Sequence, residues 1–138
     1  MDIRYMNSLE GHIGSVEVSG SLSLVSVQFG GGICLKVLVI ETPETASYLV
    51  AGHSIQVLIK ETEVVIGTLK NPHLSLENII EGTIQTIEKA ALLCRLEIQT
   101  AIGKLHAVIS SNAAERLRLR EGLTVYAMVK LNEIMLSE

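Results

Sequence analysis

The sequence contains itself twice. Leu9-Glu10-Gly11-His12-Ile13-Gly14-Ser15-Val16-Glu17 lies over Ile80-Glu81-Gly82-Thr83-Ile84-Gln85-Thr86-Ile87-Glu88 at an offset of 71. Gly52-His53-Ser54-Ile55-Gln56-Val57-Leu58-Ile59-Lys60 then lies over Gly122-Leu123-Thr124-Val125-Tyr126-Ala127-Met128-Val129-Lys130 at an offset of 70. The residue lost between these blocks falls at a turn, Gly30-Gly31-Gly32 in one copy against Thr100-Ala101-Ile102-Gly103 in the other, and loops tolerate such changes. Copies of roughly 60 to 70 residues have the size of small barrels, and two are too few for a solenoid. The sequence therefore divides into a first domain over 1–68, a linker over 69–73 that contains Asn71 and Pro72, and a second domain over 74–138.

Strand patterning dominates each copy. Leu92, Cys94, Leu96 and Ile98 alternate with Leu93, Arg95 and Glu97, and Leu123, Val125, Ala127 and Val129 alternate with Thr124, Tyr126, Met128 and Lys130. The first copy repeats this through Leu22, Leu24, Val27 and Phe29, through 33–40 and through 55–59. One short helix is predicted in each copy. Thr42-Pro43-Glu44 offers a cap hydroxyl and a proline at the first helical position, while Asn112-Ala113-Ala114-Glu115 offers a cap with an acid three residues on. Gly52 and Gly122 follow, where a left-handed residue ends a helix. The fold class is mainly all-β, as two tandem OB-like small antiparallel barrels with one short helix each.

Hydrophobic residues make up 48% of the 138 and charged residues 19%, which argues for a packed protein. Apolar runs fall far short of the roughly 20 residues that span a bilayer, so no membrane role is expected. The N-terminus lacks the features of a signal peptide, and a cytoplasmic location is the expectation. The net charge is −4 with only four aromatic residues, which disfavours nucleic-acid binding. Cys34 and Cys94 share no short spacing and read as core thiols. His12, His53, His73 and His106 have no neighbour at metal-ligand spacing, and no nucleophile motif occurs, so neither catalysis nor a directly coordinated metal is expected. A chain this apolar in two small barrels should keep hydrophobic surface for a partner, which points to a homo-oligomer.

Three segments carry a resemblance. Ser75-Leu76-Glu77-Asn78-Ile79-Ile80-Glu81-Gly82 opens the second copy, Leu119-Arg120-Glu121-Gly122 precedes its late strand, and Val129-Lys130-Leu131-Asn132-Glu133-Ile134-Met135-Leu136 closes it. The first copy matches through Asn7-Ser8-Leu9-Glu10-Gly11 and Ile59-Lys60-Glu61-Thr62-Glu63-Val64. The pattern resembles the molybdate-binding Mop (TOBE) family, and two tandem copies resemble its two-domain molbindins. The resemblance implies a homotrimer that binds and stores molybdate or tungstate, without catalysis, at contacts between domains and subunits. The alternative is a regulatory or interaction module of the same fold that has lost tight oxyanion binding.

Carried over by position, the implied oxyanion-binding residues of the second copy are Ser75, Leu76, Glu77, Asn78, Ser110, Lys130 and Asn132. Those of the first are Asn7, Lys60 and Thr62. A tetrahedral dianion loses its water only where several such donors converge. Departures are visible too. Glu77 and Met6 stand where the family carries arginine, Arg4 where it carries serine and Ile40 where it carries a hydroxyl, so the second copy is expected to keep the better site.

Overall fold

A computed structural model describes residues 5–138; Arg4 lies outside them. The chain runs β1 (Met6–Ser19), β2 (Leu22–Gln28), β3 (Cys34–Val39), β4 (Ser54–Lys60), β5 (Val65–Gly67), β6 (Asn78–Lys89), β7 (Leu93–Thr100), β8 (Gly103–Ser110), α1 (Ser111–Arg116), β9 (Thr124–Val129) and β10 (Ile134–Ser137). Short 3-10 turns at Glu61–Glu63 and Leu131–Glu133 follow β4 and β9. The mainly β, OB-like architecture expected from the repeat is present as two curled five-stranded antiparallel sheets.

Equivalent strands behave alike. β1 and β6 are long because each serves two partners, pairing with β4 or β9 along its first half and with β2 or β7 along its second. Each bulges just after it changes partner, between Ile13 and Ser15 in one and between Ile84 and Thr86 in the other, where the extra residue bends the strand. The repeated glycines Gly11 and Gly82 sit just before these bulges. A Cβ on Gly82 would lie 2.5 Å from Ile98 and 2.8 Å from the Gln99 carbonyl oxygen, so a side chain would force the hairpin apart.

The repeats exchange their last strands. The sheet orders are β10-β4-β1-β2-β3 and β5-β9-β6-β7-β8, so β10 of the second repeat completes the first sheet and β5 of the first completes the second. Ile134 pairs with Ile59, and Ile66 pairs with Ala127. Both isoleucines are buried, at 3% and 8% exposure, in a core cluster that runs through both sheets. No strand forms between β5 and β6, and each sheet borrows one strand from across that stretch.

Four local expectations are corrected. The first-copy helix does not form: after Thr42 the amides of Thr45 and Ala46 both bond to the Thr42 carbonyl, and the chain then leaves the turn. Its sequence, with Thr42, Pro43, Thr45 and Ser47, has weaker helix propensity than Asn112-Ala113-Ala114-Glu115. In the second copy the N-cap is Ser110, whose hydroxyl accepts from the Ala113 N–H at 3.0 Å, rather than Asn112. In β2 the inward phase is Ser23, Val25 and Val27, with Leu22 and Leu24 outside; Ser23 is satisfied by donating to the Glu41 carbonyl at 2.6 Å. Cys34 is exposed because it shares the outer phase of β3 with Lys36 and Leu38, whereas Cys94 is buried. Gly52 and Gly122 have φ of 90° and 86°, the left-handed conformation anticipated for them.

Candidate functional site

Strand exchange creates two junctions, each built from both repeats. At the first, the start of β1 and the end of β4 meet β8. Asn7, 4% exposed, donates through Nδ2 to the His106 carbonyl at 2.9 Å and accepts from the His106 N–H at 2.7 Å. At the second, the start of β6 and the end of β9 meet β3. Asn78, 2% exposed, donates to the Lys36 carbonyl and accepts from the Lys36 N–H, both at 2.8 Å. Lys36 and His106 are themselves repeat equivalents. The two asparagines therefore act as a matched pair of clamps, each completing the backbone hydrogen bonds of an edge strand that belongs to the other repeat.

The closing lysines stand beside these clamps. Lys60 pairs in register with Met6, and Asn78 pairs with Val129, the residue before Lys130. Among the described residues, neither lysine takes part in an ion pair. Each is followed by a 3-10 turn that packs against the other repeat: 61–63 on β8 and 131–133 on β3.

This crossing regroups the residues expected from sequence. Ser110 does not join Lys130 and Asn132. It lines, with Thr62, Arg116, Val65 and Leu117, a cleft of about 360 Å³ between β5 and the β8–α1 corner. Its repeat equivalent, Ile40, follows β3 and is 80% exposed. Ser75 and Leu76 precede β6, with Ser75 exposed, and Glu77 adjoins the Asn78 clamp. The Glu77 carboxylate lies 3.6 Å from the Lys36 ammonium, both largely exposed.

Four charged residues were not singled out by sequence. Glu61 is 2% exposed and accepts from Arg95 Nε at 2.8 Å and Nη2 at 3.1 Å, a bidentate pair that ties the turn after β4 to the second sheet. Hydrogen bonding to Glu61 pushes the Arg95 guanidinium above its ordinary range. The repeat carries a signal for it, since the equivalent of Glu61 is Leu131, and an acid at an apolar repeat position marks a buried charge. Arg116 and Lys36 are the other two, and nothing in their spacing distinguishes them from solvated surface charges.

A second cavity, of about 220 Å³, lies on the outer face of β6–β8 among Thr86, Glu88, Arg95, Glu97 and His106. Lys104 approaches Glu97 at 2.8 Å, and this hydrogen bond holds the Glu97 carboxyl below its ordinary range. Two carboxylates at the rim make this cavity a poor host for a dianion. Among the described residues no cluster of three or more histidine, cysteine or acidic side chains could hold a metal ion, and no helix is long and apolar enough to cross a membrane.

Residues 74–136, the opening and closing segments of the second repeat with everything between, match the TOBE domain model. The chain is similar to the TOBE family over that segment. Over 86 residues, 61% of its length, it is 31% identical to the molybdenum import ATP-binding protein ModC of Mannheimia succiniciproducens, of which it spans only 24%. Its fold matches that of a cytoplasmic molybdate-binding protein, ModG, with molybdate bound. The TM-score is 0.85 at 24% identity, covering 95% of this chain and 94% of the other. The sequence similarity thus covers the second copy, and the fold similarity covers both.

Proposed function

We propose that this protein binds molybdate or tungstate at the junctions between its repeats and stores it in the cytoplasm as a homotrimer, with no catalytic step. The observation that carries the reading is the pairing of two exchanged-strand junctions with unpaired lysines, Lys60 and Lys130, in a chain whose relatives in sequence and fold are named for molybdenum transport and molybdate binding. An ammonium group, hydroxyls and backbone N–H groups suit a tetrahedral dianion, which needs many donors from several directions. Exposed apolar side chains such as Ile40, Leu92 and Leu93 supply surface for assembly.

A second reading has a specific observation in its favour. Glu77 puts a carboxylate at the mouth of the Asn78 junction, so a module of this fold that has lost oxyanion binding is the alternative. Thermal unfolding separates the two. A ligand at about 100 times its dissociation constant adds roughly 2.7 kcal/mol per site, so molybdate should raise Tm by several degrees and equimolar sulfate should not. No shift with molybdate leaves the interaction module.

A further inference from the structure

The two junctions are related by the repeat and share the lysine and the asparagine, yet their chemistry differs at four positions around them. At the β8 junction the repeat positions hold Met6, Thr62, Ser110 and Arg116; at the β3 junction they hold Glu77, Asn132, Ile40 and Ala46. The first set offers two hydroxyls and a guanidinium around a cleft of about 360 Å³. Thr62 makes no side-chain hydrogen bond and Arg116 no ion pair among the described residues. Ser110 Oγ accepts from Ala113, which leaves its own proton free to donate. The one acid buried nearby, Glu61, is neutralised by its bidentate contact with Arg95. The second set replaces a hydroxyl by Ile40 and an apolar residue by Glu77, and the ammonium of Lys36 is already engaged by that carboxylate at 3.6 Å. Glu63 and Glu133 occupy equivalent places and do not discriminate.

We propose that the junctions have divided their roles: the Thr62–Ser110–Arg116 cleft takes the oxyanion, and the Glu77–Lys36 junction is a structural copy that excludes it. This rests on the reading of the chain as an oxyanion binder. Electrostatics gives the direction, because a dianion beside Glu77 meets a like charge while a dianion beside Arg116 meets an opposite one. The strand exchange gives the location, because it brings Thr62 of the first repeat to Ser110 of the second. Arg116 is a binding residue in this account, and Glu77 sets the selectivity between junctions.

The test is calorimetric titration of the full chain with sodium molybdate. Wild type should bind one molybdate per chain. Because Ser110 also caps α1, Thr62→Val and Arg116→Gln carry the loss test, and each should weaken binding at least tenfold with an unchanged circular dichroism spectrum. Glu77→Gln should leave that site intact and raise the stoichiometry toward two. Two equal sites in wild type, or wild-type affinity in both cleft variants, overturns the division of roles and leaves the binding function standing. Absence of heat and of molybdate retention in wild type overturns the binding function itself.

Discussion

Asn7 and Asn78 show how one residue type serves the fold where a family pattern suggests a ligand. Both are legible from sequence as repeated polar residues at a strand start, but their partners are backbone groups about 100 and 42 residues away, which no local pattern announces. Asn78→Ala strips a donor and an acceptor from the partly buried hydrogen bonds with the Lys36 backbone. The expected cost is about 2 to 4 kcal/mol in urea unfolding, on the usual penalty for orphaned polar groups. Were Asn78 only a ligand, stability without anion would be unchanged. Glu61→Gln leaves Arg95 without its carboxylate and should cost about 1 to 3 kcal/mol, less than the roughly 3 to 5 of a fully buried pair because Arg95 is 37% exposed. Glu97 adds a pH effect of known sign. Its carboxyl titrates below the ordinary 4.5 in the folded chain, so the Lys104–Glu97 contact stabilises above that value and is lost as the pH falls through the folded one. Lys104→Met should therefore flatten the acid limb of the stability curve below about pH 4.5 and leave it unchanged below the folded titration.

At the scale of elements, the strands and their number follow from alternation, and the bulges from the glycine and partner change near Ile13 and Ile84. The exchange of β5 and β10 does not follow. Each repeat ends in an equivalent short strand, Val64-Val65-Ile66 or Ile134-Met135-Leu136, so pairing within a repeat or across repeats satisfies the same inward phase. The choice is made by the turn between, which crosses to the other sheet and, in the first repeat, is pinned there by Glu61. The missing first-copy helix has a different cause: capping signals were present at Thr42, but the residues after them could not propagate a second turn. Exchange makes a directional prediction. A chain ending at Glu133 should lose hydrogen-exchange protection in β4, residues 54–60, which pairs with β10, while β9 stays protected. Protection lost from β9 instead would mean that each repeat closes on itself. Ile134→Ala should cost about 2 to 4 kcal/mol, as for other buried isoleucine truncations.

For the whole molecule, exchange means that neither repeat is complete alone, and the candidate site belongs to the pair. The ten residues proposed from sequence were gathered as if each copy held its own site. The strand crossing instead brings Ser110 to Thr62. That grouping joins residues of different repeats, so no pattern within one copy announces it. Exposed Ile40, at 80%, and Leu92, at 81%, leave the monomer with apolar surface in both repeats. The storage account makes anion and assembly inseparable, so the most direct measurement is native mass spectrometry of the wild-type chain in molybdate, beside sulfate at equal concentration. The account predicts a trimer that carries added molybdate mass and carries none in sulfate. A protein whose mass is the same in both anions would contradict it.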